Sequence, residues 1–170
     1  MKKVLIVASA VSALALTAAP AEAATPTQQA TATARIVQPL TLAWVQDLDL
    51  GTIVLSGTGP YTDTISITNA GSFTCGADVT CSGTPQTARY SATGTRDQTL
   101  TVTVSPTIAL VNQTQTSPDL TLTVDAPTAG SVVLDSTGVT TFDLGGSIDV
   151  SDTTADGVYQ GTFDVSADYQ

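Results

Sequence analysis

Asp156-Gly157-Val158-Tyr159-Gln160-Gly161-Thr162-Phe163-Asp164-Val165-Ser166-Ala167-Asp168-Tyr169-Gln170 is the stretch whose reading decides the fold. Tyr159, Gly161, Phe163, Val165, Ala167 and Tyr169 share one parity; Gln160, Thr162, Asp164, Ser166, Asp168 and Gln170 share the other. Successive side chains of an extended chain point to opposite faces, so this pattern predicts one strand with an apolar inner face and a polar outer face. It contains no proline, and it is expected to run to the last residue within its own sheet.

The same period recurs upstream. Strands are predicted over Leu40-Thr41-Leu42-Ala43-Trp44, over Asp47 to Leu55 with a bulge or bend at Gly51, and over Thr64 to Thr68. Further strands are predicted over Ala88 to Thr93, Thr99 to Ser105, Ile108 to Val111, Leu120 to Val124 and Val132 to Leu134. Phe142 to Val150 reads as a strand broken at Gly145-Gly146. Turn residues punctuate the chain every eight to twelve residues or so, and no segment holds a 3.6-residue period, a spacing that reads as an all-β, immunoglobulin-like sandwich.

The first residues are a targeting segment. Lys2 and Lys3 precede an apolar run from Val4 to Leu16, and Ala21-Glu22-Ala23 is a small-residue cleavage site. This predicts a secretory signal peptide over residues 1–23, with a core too short to span a bilayer. Residues 24–39 then form an N-terminal extension and residues 40–170 one domain. Export through the inner membrane follows from the signal, and no other apolar run is long enough for an integral membrane protein.

Charge and absent residue types narrow the function. The sequence carries a net charge of −10, and beyond the leader its only bases are Arg35, Arg89 and Arg96. Such a surface repels phosphates, so no nucleic acid partner is expected. Beyond the leader there is also no His, Lys, Glu or Met. That removes His-dependent triads, Ser-Lys nucleophiles, Schiff bases and His-based zinc sites, and no catalytic residue, metal or cofactor is expected.

The two cysteines, Cys75 and Cys81, lie close in an exported chain and are expected to form a disulfide that stiffens a surface hairpin. Asp149, Asp152 and Asp156, or Asp47 and Asp49, invite a calcium reading, but their spacing matches no calcium loop and there is no bidentate Glu. Aspartates alternating on strands read more simply as a solvated face. Trp44, Tyr61 and Tyr90 could stack on a glycan, although core or loop packing is the commoner fate of such residues.

Three features together carry a family resemblance. Gly157 is the fourteenth residue from the end and Tyr169 the penultimate one. An alternating terminal strand with those two positions resembles the chaperone-binding end of chaperone–usher fimbrial pilins. Ala30-Thr31-Ala32-Thr33-Ala34-Arg35-Ile36-Val37-Gln38-Pro39-Leu40 resembles the N-terminal donor strand of the alpha class of those pilins. Asp47 to Ile53, Ala88 to Gly94 and Gly157 to Phe163, in that order, resemble a narrower pilin-like family of secreted bacterial domains of unknown function.

The resemblance implies a sandwich that lacks one strand and receives it from the next subunit, in a head-to-tail contact that builds a fimbria at the cell surface. Ala30, Ala32, Ala34 and Ile36 would be the inserted residues. Gly157, Tyr159, Phe163, Val165, Ala167 and Tyr169 would form the groove-lining, chaperone-binding strand. Other copies of the chain and a periplasmic chaperone and usher would be its partners. One departure stands out: donor strands of that family bury larger groups than three alanines and one isoleucine. The alternative is a self-complete secreted or periplasmic sandwich with a binding or adhesion role, residues 29–37 serving as its own first strand.

Overall fold

The computed structural model describes residues 27–56 and 58–170. The expected signal peptide lies outside the described residues. The chain divides into two units between residues 35 and 36. Residues 27–35 of the first carry no helix or strand.

The second unit is an all-β sandwich. Its strands are β1 (Thr41–Gln46), β2 (Thr52–Leu55), β3 (Thr62–Ile67), β4 (Phe73–Thr74), β5 (Val79–Ser82), β6 (Ala88–Thr93) and β7 (Thr99–Val104), followed by β8 (Thr107–Asn112), β9 (Leu120–Asp125), β10 (Ser131–Val133), β11 (Val139–Ser151), β12 (Tyr159–Gln160) and β13 (Val165–Tyr169). All pairings are antiparallel. An eight-stranded sheet runs in the order β1-β6-β11-β9-β8-β12, with β3 also on β11 and β4 on β3. A three-stranded sheet, β10-β7-β13, and a two-stranded sheet, β2-β5, complete the set.

Strand alternation builds the core. Ala88 and Ala92 of β6, Leu100 and Val102 of β7, and Phe142 and Leu144 of β11 form one buried cluster with Leu134. Ile65, Val79, Ile108, Leu122, Ile148 and Val150 form a second. The even-numbered residues of β11 feed both clusters, so this one strand ties the two halves together. Leu48, Val124 and Phe163 pack against both.

Three local expectations are corrected. Gly145-Gly146 does not break β11. Gly146 pairs with Ile67 of β3 on one side and Val124 of β9 on the other. A Cβ at Gly145 would strike the Ile67 carbonyl, and one at Gly146 would sit 2.8 Å from the Leu122 side chain. The pair therefore lets two neighbouring strands close in, as glycine does where backbones approach tightly.

The terminal strand, in turn, is two strands. β12 pairs with β8 in the large sheet, whereas β13 pairs with β7 in the three-stranded sheet. Its partner crosses between sheets at Ser105-Pro106, where proline has no N–H for a ladder, and residues 161–164 follow it across. The inward parity survives: Tyr159, Phe163, Val165, Ala167 and Tyr169 are each half-buried.

The disulfide is a third case. Cys75 and Cys81 are bonded, with 6.0 Å between their Cα atoms. Both pack against the second core cluster rather than stapling a solvent-exposed hairpin, because β5 lies on β2 over that cluster.

Candidate functional site: two open sheet edges

Most strands at the margins of these sheets are short: β4 and β12 have 2 residues each and β10 has 3. β2 and β5, the two margins of the small sheet, have 4 residues each, and β1 and β13 are the longest marginal strands, with 6 and 5 residues. Among the described residues β1 pairs only with β6, and β13 only with β7. An unpaired strand edge offers a row of free N–H and C=O groups, and folded proteins usually blunt it with charge, proline or brevity. Thr41-Leu42-Ala43-Trp44-Val45-Gln46 has none of these, and Val165-Ser166-Ala167-Asp168-Tyr169 has one aspartate, exposed on its outer face.

The two edges adjoin. Leu40 and Leu42 on one side and Val165, Ala167 and Tyr169 on the other are half-buried and pack against the same core cluster. Leu40 and the Tyr169 ring come together at Gly94, where a Cβ would lie 3.2 Å from Leu40 Cδ1 and 3.1 Å from Tyr169 Cζ.

The core thins out toward β1. Trp44 of β1, Tyr90 of β6 and Phe142 of β11 stand opposite one another in register, so they share a face of the sheet. Phe142 is 5% exposed, and Tyr90 stacks on it with 5.7 Å between ring centroids. Trp44 is 61% exposed, which overturns the expectation of core or loop packing for this residue. It sits on the core-facing side at an edge beyond the cover of the opposing sheet. Its Nε1–H donates to Asp47 at 3.0 Å, which satisfies the indole's polar end and leaves its apolar body open. Burial first, then the carboxylates of Asp47 and Asp164, push the Tyr90 phenol above its ordinary range.

Tyr169 holds the end of this edge together. Its hydroxyl donates to the Gln38 carbonyl at 2.8 Å and accepts the Thr95 backbone N–H at 2.7 Å. The Gln38 N–H in turn donates to Thr95 Oγ1 at 2.6 Å. Sequence reasoning found Tyr169 but not Leu40, Leu42, Gln38 or Thr95, because only the packing of the two sheets brings the start of β1 to the end of β13.

The other residues expected in the terminal strand are elsewhere. Gly157 precedes β12 with φ +146°, and a Cβ there would collide with the Asn112 side chain. Tyr159 pairs with Asn112, and its hydroxyl donates to the Ala155 carbonyl at 3.0 Å. Both belong to the β8–β12 margin of the large sheet. Phe163 lies between the two strands at the junction of the core clusters. Val165, Ala167 and Tyr169 are thus the part of the set that lies along the open edge. Of the expected donor residues, Ile36 is 91% exposed, and residues 27–40 contribute to no strand.

Four of the five aspartates that suggested a cation have hydrogen-bond partners, Asp47 being the acceptor for Trp44. Asp49 accepts the Gly51 N–H at 2.7 Å, Asp149 accepts the Thr64 hydroxyl at 2.5 Å, and Asp156 accepts the Gln115 side-chain amide at 2.9 Å. Among the described residues no three acidic or cysteine side chains cluster to hold a metal. The Arg89 guanidinium, bidentate to Asp143 at 2.7 and 2.8 Å, holds that carboxyl below its usual range. Among the described residues no helix is long and apolar enough to cross a membrane.

Fold and edges together define an all-β, disulfide-bonded sandwich domain with two long open strand edges side by side. The chain belongs to the DUF4402 family, a domain of unknown function, whose model matches residues 40–169. No curated protein and no solved structure matches it.

Proposed function

We propose that this protein is a structural subunit of a bacterial surface fimbria, assembled by donation of an N-terminal strand from one copy to the open edge of the next. The observation that carries the reading is the pair of neighbouring, unguarded edges β1 and β13, flanked by the half-buried Leu40, Leu42, Val165, Ala167 and Tyr169. Strand addition satisfies such an edge: backbone bonds supply affinity, and alternate side chains supply fit. Residues 29–37 alternate small apolar and polar groups and form no strand of their own, which makes them the donor candidate. Ala30, Ala32, Ala34 and Ile36 are the inserted residues in this reading, and export delivers the chain to the periplasm and the cell surface, where a chaperone would cover the edge until assembly.

The contact is heterologous and does not close on itself, so its product is a filament. Its function is mechanical, with no chemical step. Protein taken from its native envelope and run on SDS gels unheated should give a ladder spaced at one subunit, collapsing on boiling, because strand-donated contacts open very slowly. Ala32→Asp should abolish the ladder and leave the sandwich folded. A single monomer band in both lanes, with a sharp thermal transition, would instead favour the self-complete binding domain.

A further inference from the structure

The hydrogen bonds around Tyr169 sit just before β1, at Gln38. Both backbone groups of Gln38 are occupied, its N–H by Thr95 Oγ1 and its carbonyl by the Tyr169 hydroxyl. The Thr95 N–H closes the triangle on the same hydroxyl. Gly94 makes the arrangement sterically possible, since a Cβ there would overlap the hydroxyl. Three distant parts of the chain meet at this point: the approach to β1, the turn after β6 and the end of β13.

We infer that the Tyr169 hydroxyl is a latch that keeps the N-terminal segment out of its own open edge and so reserves that edge for a second copy. This inference rests on the strand-donation reading. The physical reason lies in the turn that self-insertion needs. Tyr169 ends β13 beside the start of β1, so residues 29–37 could reach their own edge only by reversing direction immediately before β1. A reversal over Gln38-Pro39 is a two-residue hairpin. The favoured hairpin turns need positive φ at one or both central residues, and proline is fixed near −65°. Reversal therefore requires a longer loop that includes Gln38, and Gln38 enters such a loop only when both of its bonds are given up. With the latch closed, both Gln38 backbone groups are held and Gln38 cannot enter that loop.

Tyr169 is a positioning residue in this account. Tyr169→Phe removes the hydroxyl and retains the ring that packs against Leu40. Thr95→Ala releases the Gln38 N–H without touching the ring. The exported full-length protein, wild type and each variant, is compared by amide hydrogen exchange on the purified, folded monomer and by unheated SDS gels. In the wild-type monomer the amides of residues 29–37 exchange fast. In Tyr169→Phe they shift to slow exchange as the segment pairs with its own β13, the monomer gains thermal stability, and the ladder weakens. Thr95→Ala shifts both readouts in the same direction by a smaller amount.

Fast exchange of residues 29–37 in both variants overturns the latch, whether or not the ladder persists. Loss of the ladder without new protection overturns it too, because Tyr169 would then act on assembly by another route. A wild type that forms no ladder at all refutes the strand-donation reading itself, which the exchange comparison does not depend on for its readout.

Discussion

Replacing Trp44 with alanine separates the contribution of the open edge from that of the core. Trp44 is 61% exposed although it lies on the same face as the buried Phe142. A Trp side chain can bury up to about 250 Å². The exposed share leaves about 150 Å², worth about 4 kcal/mol at ~25 cal/mol per Å² if it were fully covered. A strand added along the open edge of β1 would cover the ring from one side, and half of that figure is about 2 kcal/mol, or roughly 30-fold in association. Trp44→Ala should therefore raise the concentration needed for assembly about 30-fold. The isolated sandwich should lose only about 1–2 kcal/mol, well below the ~3–5 typical of a core Trp→Ala change.

The assay needs no label, because Trp44 is the only tryptophan in the sequence. Its emission should shift to the blue when monomers assemble and return when the filament is boiled. Equal emission from monomer and filament, together with unchanged assembly of Trp44→Ala, would falsify the assignment of this edge as the contact.

Two further outcomes test the sandwich itself. Reduction of Cys75–Cys81, which closes a loop with a sequence separation of 6, should lower unfolding free energy by about 2 kcal/mol in chemical denaturation. Two titratable thiols in unreduced, denatured protein would contradict the bridge. Acid should also destabilise the fold. Asp135, held down by the Thr137 hydroxyl and then the Val139 and Thr137 N–H groups, and Asp143, held down by Arg89, both have lowered pKa values. A carboxyl lowered in the folded state adds stability that is present above its unfolded pKa and is lost as pH falls through its folded one. The melting temperature should therefore hold from neutral pH to the ordinary carboxylate range and fall below it. Asp143→Asn should make that fall shallower, and an identical acid profile in the variant would remove Asp143 from the account.

Much of the fold was legible because a sheet writes its period into the sequence. Leu100, Val102 and Val104 alternate with Thr99, Thr101 and Thr103, and the strand lies where that alternation lies. The misreadings share one cause: local pattern does not show what lies alongside a strand. Gly145-Gly146 reads as a breaker, yet its missing side chains admit strands from both flanks. Gly161 to Asp164 keeps perfect alternation, yet the ladder stops there because its partner changes sheets. Trp44 reads as core because it is large and apolar, and whether a second layer covers it is not a property of β1.

The sequence by itself determined the class of fold, the two inward faces and the pairing of its only two cysteines, since alternation and chain proximity are local facts. It also singled out Tyr169 and the alternating segment before Pro39. Only the tertiary structure decided which strands are edges. Being an edge depends on what lies alongside, and it takes the whole pairing pattern to show that β1 and β13 are the two long strands left with one side unpaired. Only the structure brought Gln38, Thr95 and Tyr169 together, because a hydrogen bond across 131 residues is set by how the sheets stack and not by any pattern along the chain.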